Sequence, residues 1–149
     1  MQITRQSEYA IKTILELSKN FGESISAKEI SVRQDVPEFF LKKTVQILAR
    51  AGMVQTQRGA SGGVKLIVKP QDITIADVIK VIEGNLAINV CLAEGNSCPN
   101  QGFCQVRKIL SRTQQAMEAE LAKETFADLA GLNIRTELSS EIGENSNRC

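Results

Sequence analysis

Apolar positions near the start of the chain step by three and four. Tyr9, Ala10, Ile14 and Leu17, with Ile11 and Leu15 alongside, predict an amphipathic helix up to Leu17. Asn20-Phe21-Gly22 is expected to end it, with Gly22 suited to a left-handed cap. Ser26-Ala-Lys-Glu29 has the pattern of a capping box and opens a short second helix to about Arg33. Pro37 then suits the first turn of a third helix over 37–51, where its missing N–H is no loss. Leu41, Val45 and Leu48 form the inward stripe of that helix and Gly52 stops it. The period now changes to two. MVQTQ (53–57) and VKLIV (64–68) alternate as strands around the loop Arg58-Gly-Ala-Ser-Gly-Gly63, which predicts a hairpin.

Three helices followed by a hairpin is the order of a winged helix-turn-helix, with the hairpin as the wing. After the linker that begins at Pro70, Thr74-Ile-Ala-Asp77 opens a fourth helix carrying Ile75, Val78, Ile79 and Ile82, stopped by Gly84. Beyond residue 104, Val106, Leu110, Thr113, Met117 and Leu121 keep a 4-3-4-4 rhythm, widened by Ile109 and Ala116. So long a stripe has no partner left in a chain of 149 residues, and pairing with its own copy is the simplest burial. The fold expected is mostly α with a small β-hairpin: a winged helix-turn-helix domain plus a long C-terminal dimerisation helix. Its parts are a DNA-binding domain (1–70), a linker and fourth helix (71–90), a cysteine loop (91–104), a dimerisation helix (105–131) and a polar, aperiodic tail (132–149) expected to be disordered.

Charge sharpens this division. The whole chain is formally +1, yet residues 1–70 hold 11 Lys+Arg against 6 Asp+Glu, and residues 71–149 hold 7 against 11. A net +5 followed by a net −4 suggests a front half that meets a polyanion. No apolar run approaches a membrane span, and MQITRQSEYAIK lacks a signal-peptide core, so a cytoplasmic protein with no membrane partner is expected. The chain contains no histidine. Ser–His and Cys–His nucleophile pairs are therefore excluded, no other catalytic constellation appears, and an enzyme is not expected.

A recognition helix presents its outward N-terminal side chains to base edges. On 37–51 these include Phe39, Lys42, Lys43 and Gln46; the bland alternative is a solvated basic face. Of the adjacent Phe39 and Phe40, one is expected in the core and the other on DNA. Arg58, at the mouth of a Gly-rich hairpin, suits a narrow minor groove. Ser61 and Gly62 of the loop and Arg5 of the first helix complete the candidate DNA-contact set, while the loop glycines also serve tight-turn geometry.

CLAEGNSCPNQGFC (91–104) places three of four cysteines in one loop. Structural zinc sites favour shorter spacings and four protein ligands; here the spacings are six and five residues, and the fourth thiol is Cys149. Iron–sulfur clusters tolerate wider spacings and a substituted ligand, and Gly95, Pro99 and Gly102 suit a loop that wraps a bulky group. A disulfide or redox thiol pair stays open as well.

MQITRQSEYAIKTILELS, SAKEISVRQDVPEFFLKKTVQIL, RGASGGVKL, the three-cysteine loop and TFADLA occur in one chain and in this order. Over about residues 1–130 the sequence resembles the winged-helix regulators of the Rrf-two family, which includes IscR, NsrR, RirA and CymR. The resemblance implies a homodimeric transcription factor on a palindromic operator of double-stranded DNA, controlled by an iron–sulfur cluster (2Fe-2S or 4Fe-4S). By the family's pattern Cys91, Cys98 and Cys104 are the cluster thiolates, helix 37–51 reads the major groove and Arg58 the minor groove. Two departures stand out. The histidine three residues after the third cysteine of IscR-like members is Arg107 here, and the first cysteine spacing is one residue longer than usual. NsrR-like members take a carboxylate from helix 1 of the partner subunit, and Glu8 matches that position; the alternative for Glu8 is an ordinary first-turn carboxylate. CymR-like members do without the cysteines, so a cluster-free thiol- or small-molecule-sensing regulator is the main rival, followed by an iron–sulfur or thiol redox protein.

Overall fold

The computed structural model describes residues 3–132. Helix α1 spans Arg5–Lys19, started by Thr4, whose side chain accepts a hydrogen bond from Ser7 N. It ends at Asn20, whose side-chain amide donates back to Glu16 O at 2.9 Å. Gly22 (φ +96°) lies beyond the helix in the following turn, so Asn20 takes the cap assigned by sequence to Gly22. Ser26 caps α2 (Ala27–Gln34) through Glu29 N. Glu29 spends its carboxylate on Arg33 one turn on, so the side-chain half of the expected capping box is redirected. Asp35, at φ +50°, then reverses the chain into α3 (Glu38–Arg50), with Pro37 as its N-cap.

Strands β1 (Val54–Gln57) and β2 (Gly63–Leu66) pair antiparallel, with Val54 opposite Leu66 and Gln57 opposite Gly63. The hairpin is tied to the helices through Ile25, which exchanges both backbone hydrogen bonds with Val64 at 2.7 and 2.9 Å. That close approach explains Gly63: a Cβ there would sit 2.5 Å from Ile25 O. A single 3-10 turn at Pro70–Asp72 leads into α4 (Ile75–Glu83), opened by a reciprocal Thr74–Asp77 capping box.

Segment 105–131, expected as one helix, is two. Helix α5 (Gln105–Leu121) stops at Ala122, and a second capping box, Thr125–Asp128, starts the short α6 (Phe126–Leu129). Phe126 N donates to Ile73 O at 2.8 Å and its ring is fully buried, so TFADLA doubles back into the core rather than prolonging α5. The core is one cluster that runs from Ala10 and Ile14 through Ile30, Leu41, Leu48 and Leu66 to Ile73, Val78 and Phe126. Segment 71–83 thus joins that core through Ile73 and Val78, with Ile75, Val81 and Ile82 packed against it. From Gly84 to Thr125 no residue is buried. Among the described residues no helix is long and apolar enough to cross a membrane. Segment 133–149, with Cys149, lies outside the described residues.

Candidate functional site

Helix α3 buries Leu41, Thr44, Val45 and Leu48 against the core. At 100° per residue, Phe39, Lys42, Lys43 and Gln46 therefore fall on its outer face. Phe39 is 63% exposed and Phe40 49%. Neither enters the core, contrary to expectation, because Phe39 lies opposite the buried stripe and Phe40 on its flank. Instead the two rings stack edge to face at 5.5 Å, Phe40 packs on Tyr9 of α1 at 6.0 Å, and Lys43 Nζ lies 4.4 Å above the Phe39 ring. A cation at that distance is attracted by the ring's negative face.

The candidate DNA residues form two groups on this surface. Lys42 and Gln46 of α3 line one groove with Arg58 and Gly62 of the wing, about 680 Å³ in volume, floored by Val45 and Val64. Arg5, Lys43, Tyr9 and Phe40 line a second hollow of about 410 Å³ between α1 and α3. Ser61 is exposed at the tip of the wing. Gly62 has a packing reason of its own, since a Cβ there would meet Gln57 O at 2.4 Å. Lys42 Nζ meets Glu38 at 2.7 Å, and the hydrogen bond from Lys42 holds the Glu38 carboxyl below the usual range. Exposed pairs of this kind are weak and exchange readily for a phosphate.

The three cysteines arrive from three local structures. Cys91 lies in a 3-10 turn (Val90–Leu92), Cys98 in a turn that Gln101 N closes on Cys98 O at 3.0 Å, and Cys104 is the N-cap of α5. All three are half-buried free thiols. Arg107 fastens two of them: its backbone N–H donates to Cys104 Sγ at 3.4 Å and its Nε–H to Cys91 O at 3.2 Å. Sequence reasoning excluded Arg107 as a ligand and missed this second role. Within one chain the thiols are not gathered: among the described residues no three Cys, Asp or Glu groups stand close enough to hold a metal ion. Glu8, in the first turn of α1, pairs with Lys12 at 3.0 Å. The chemistry of the donor set nevertheless fits an iron–sulfur cluster: three unpaired soft donors on one loop, partly screened from water, in a chain without imidazole.

Elsewhere on this framework, Glu16 joins α1 to α2. Burial pushes its carboxyl up, but hydrogen bonds from Arg33 (2.9 Å) and Gln34 (2.7 Å) outweigh that and hold it below the usual carboxylate range.

Comparison with known proteins places this geometry. Residues 3–131 match the family model Rrf2, described as an iron-dependent transcriptional regulator. The HTH-type transcriptional regulator NsrR of Geobacillus kaustophilus (strain HTA426) is 34% identical over 146 residues, covering 97% of this chain and 98% of that one. The solved structure of CymR, the global cysteine regulator of B. subtilis, superposes with a TM-score of 0.73 at 30% identity over 89% of this chain and 98% of the other. That of T. potens IscR gives 0.70 at 25% identity over 100% and 93%. Those relatives are transcriptional regulators and not enzymes, and their winged-helix architecture is the one described above. The chain belongs to the Rrf2 family of transcriptional regulators.

Proposed function

We propose that this regulator is a homodimer whose binding to a palindromic operator is controlled by an iron–sulfur cluster, held by Cys91, Cys98 and Cys104 and by Glu8 of the partner subunit. The observation that carries the reading is the set of three half-buried, unpaired thiols on a segment, 84–125, in which no residue is fully buried by its own chain. Such a segment is completed by a second copy: Val106 and Ile109 of α5 stand exposed on its apolar face, and pairing α5 with its copy covers them. When bound, the cluster supplies a centre that responds to redox, iron or nitric oxide status. The chain's own residues do the rest. Lys42, Gln46 and Phe39 present α3 to a major groove, with Lys43 beside them. Arg58 reaches the adjacent minor groove from the wing, where Ser61 and Gly62 form the tip, and Arg5 meets the backbone. Two-fold symmetry sets half-sites about 10–11 base pairs apart, or a multiple of that.

Anaerobic purification tests the cofactor. Iron and acid-labile sulfide that disappear in Cys91→Ala, Cys98→Ala and Cys104→Ala support it, and Glu8→Ala should make the cluster labile. Colourless anaerobic protein, free of iron, overturns it. A second reading rests on the separation of the thiols within one chain: a cluster-free regulator that senses thiol oxidation or a small molecule. Operator binding by iron-free protein that changes on mild thiol oxidation favours this second reading.

A further inference from the structure

Glu83 is the last residue of α4. A carboxylate in the last turn faces the negative end of its own helix dipole and is disfavoured there. Its partners lie near the start of the chain. Glu83 Oε1 accepts hydrogen bonds from Ser7 Oγ at 2.6 Å and from Thr4 Oγ1. Thr4 is the N-cap of α1, and its Oγ1 also accepts from Ser7 N at 3.2 Å. The carboxylate thus sits at the positive, N-terminal end of α1 and joins its cap, over a Ser7 that is fully buried. Burial pushes the Glu83 carboxyl up, but the hydrogen bonds from Ser7 and Thr4 outweigh this and hold it below the usual range.

The position of this contact gives it a use. Gly84, at φ +78° and ψ −154°, follows at once in a conformation open to glycine alone. There the packed core ends and the segment with the cysteines begins. On the other side of the contact, the first turn of α1 carries Arg5 and Glu8. We propose that Glu83 is a positioning residue that couples the cysteine loop to operator binding, by clamping the N-terminus of α1 to the end of α4 from which the loop departs. A displacement of the loop root then reaches Arg5 and Glu8 through two hydrogen bonds. The assignment rests on the reading of the loop as the regulated segment.

A clamp that transmits differs measurably from a cap that only stabilises. Loss of a cap weakens operator binding in every state alike, whereas loss of a coupling element collapses the difference between states. The experiment uses the full-length protein as wild type, Glu83→Gln, Glu83→Ala and, from the other side of the contact, Thr4→Val. One arm compares operator affinity of anaerobically isolated and apo protein by fluorescence anisotropy. The second measures iodoacetamide labelling of Cys91, Cys98 and Cys104 in apo protein with and without operator DNA. We expect the wild-type states to differ in affinity by about fivefold or more, the usual range of coupling, and operator DNA to change the labelling rates. In Glu83→Ala and Thr4→Val both ratios move towards one, with Glu83→Gln intermediate. Ratios preserved in the variants, whatever the absolute affinity, overturn the proposal, as does wild-type labelling that ignores the operator. If anaerobic protein holds no iron, the cofactor assignment falls and the labelling arm alone decides the role of Glu83. Should Glu83→Ala fail to fold, Thr4→Val and Glu83→Gln supply the same two ratios and decide in its place.

Discussion

Helices α1 and α5 carry the same kind of pattern and meet opposite fates. Over 15 residues α1 buries seven; over 17 residues α5 buries none. The stripe of α1 is met by α3, α4 and α6, so its apolar face becomes the spine of the core. Helix α5 is met mainly by α4 and by the 3-10 turn that contains Cys91. Around it, Val90, Phe103, Val106 and Ile109 all stand exposed, Phe103 at 88%. An apolar face that large is kept in soluble protein when something covers it. One half of this molecule is finished by its own sequence; the other leaves an apolar surface that the proposed dimer would cover.

The sharpest way to break that contrast is to remove one apolar side chain from each half. Phe126→Ala empties a fully buried site, and a loss of about 3–5 kcal/mol is expected in denaturant unfolding. Ile109→Ala touches an exposed position, and at low protein concentration its cost should stay within about 0.5 kcal/mol. If Ile109→Ala matched Phe126→Ala independently of concentration, α5 would be packed on its own chain and the contrast would be wrong. Next in size, Ile109→Glu should weaken self-association by about 2 kcal/mol or more, the cost of covering an unpaired charge. Sedimentation equilibrium reads this directly, and an unchanged dimer would move the interface away from this face of α5.

The front half was legible because its signals were local. Helical periodicity, the Ser26 and Thr74 caps and the change to period two at Met53 each act within a few residues, and α1 to α4 with the hairpin follow them closely. What was missed depended on distance along the chain. The fate of Phe126 hinges on Ile73 O, and nothing within TFADLA announces that partner. One of Phe39 and Phe40 was expected in the core; Phe39 is exposed, and Phe40 also stays out because helix phase puts it on the flank of the buried stripe. Glu83 drew no notice in the sequence, and makes sense only beside Thr4 and Ser7, 76 or more positions away. At the cysteine loop, sequence offered three thiols as candidate donors, and the structure adds Arg107 as the fastener of Cys91 to Cys104.

Within the front half, the two groups of candidate DNA residues predict different losses. Arg58→Ala should cost about 1–3 kcal/mol on the operator and relax sequence preference beside the wing. Arg5→Ala, aimed at the backbone, should weaken all sequences alike and lower the salt slope by about one. Anisotropy titrations at several salt concentrations on operator and scrambled DNA separate the two. Equal, sequence-independent losses would remove Arg58 from the groove and leave both as phosphate contacts.

Acid should find the finished half first, with the smallest effect of the series. Glu16 and Glu83, two carboxyls held below their ordinary value of 4.5, both anchor α1, and each does so as an anion accepting hydrogen bonds. A group whose folded value is depressed binds fewer protons when native than when unfolded. Its contribution is therefore complete above 4.5 and is lost as pH falls through the folded value. The unfolding midpoint should stay flat from about pH 7 to 5.5 on this account and decline below 4.5. Glu16→Gln isolates the share due to the Arg33 and Gln34 contacts. At pH 7 it should be the less stable protein, since Arg33 loses a charged acceptor. As acid neutralises Glu16 in the wild type, the two stability curves should converge. Parallel curves down to the acid limit would mean that Arg33, which also pairs with Glu29, gains nothing from the charge on Glu16; the link between α1 and α2 would then rest on packing alone.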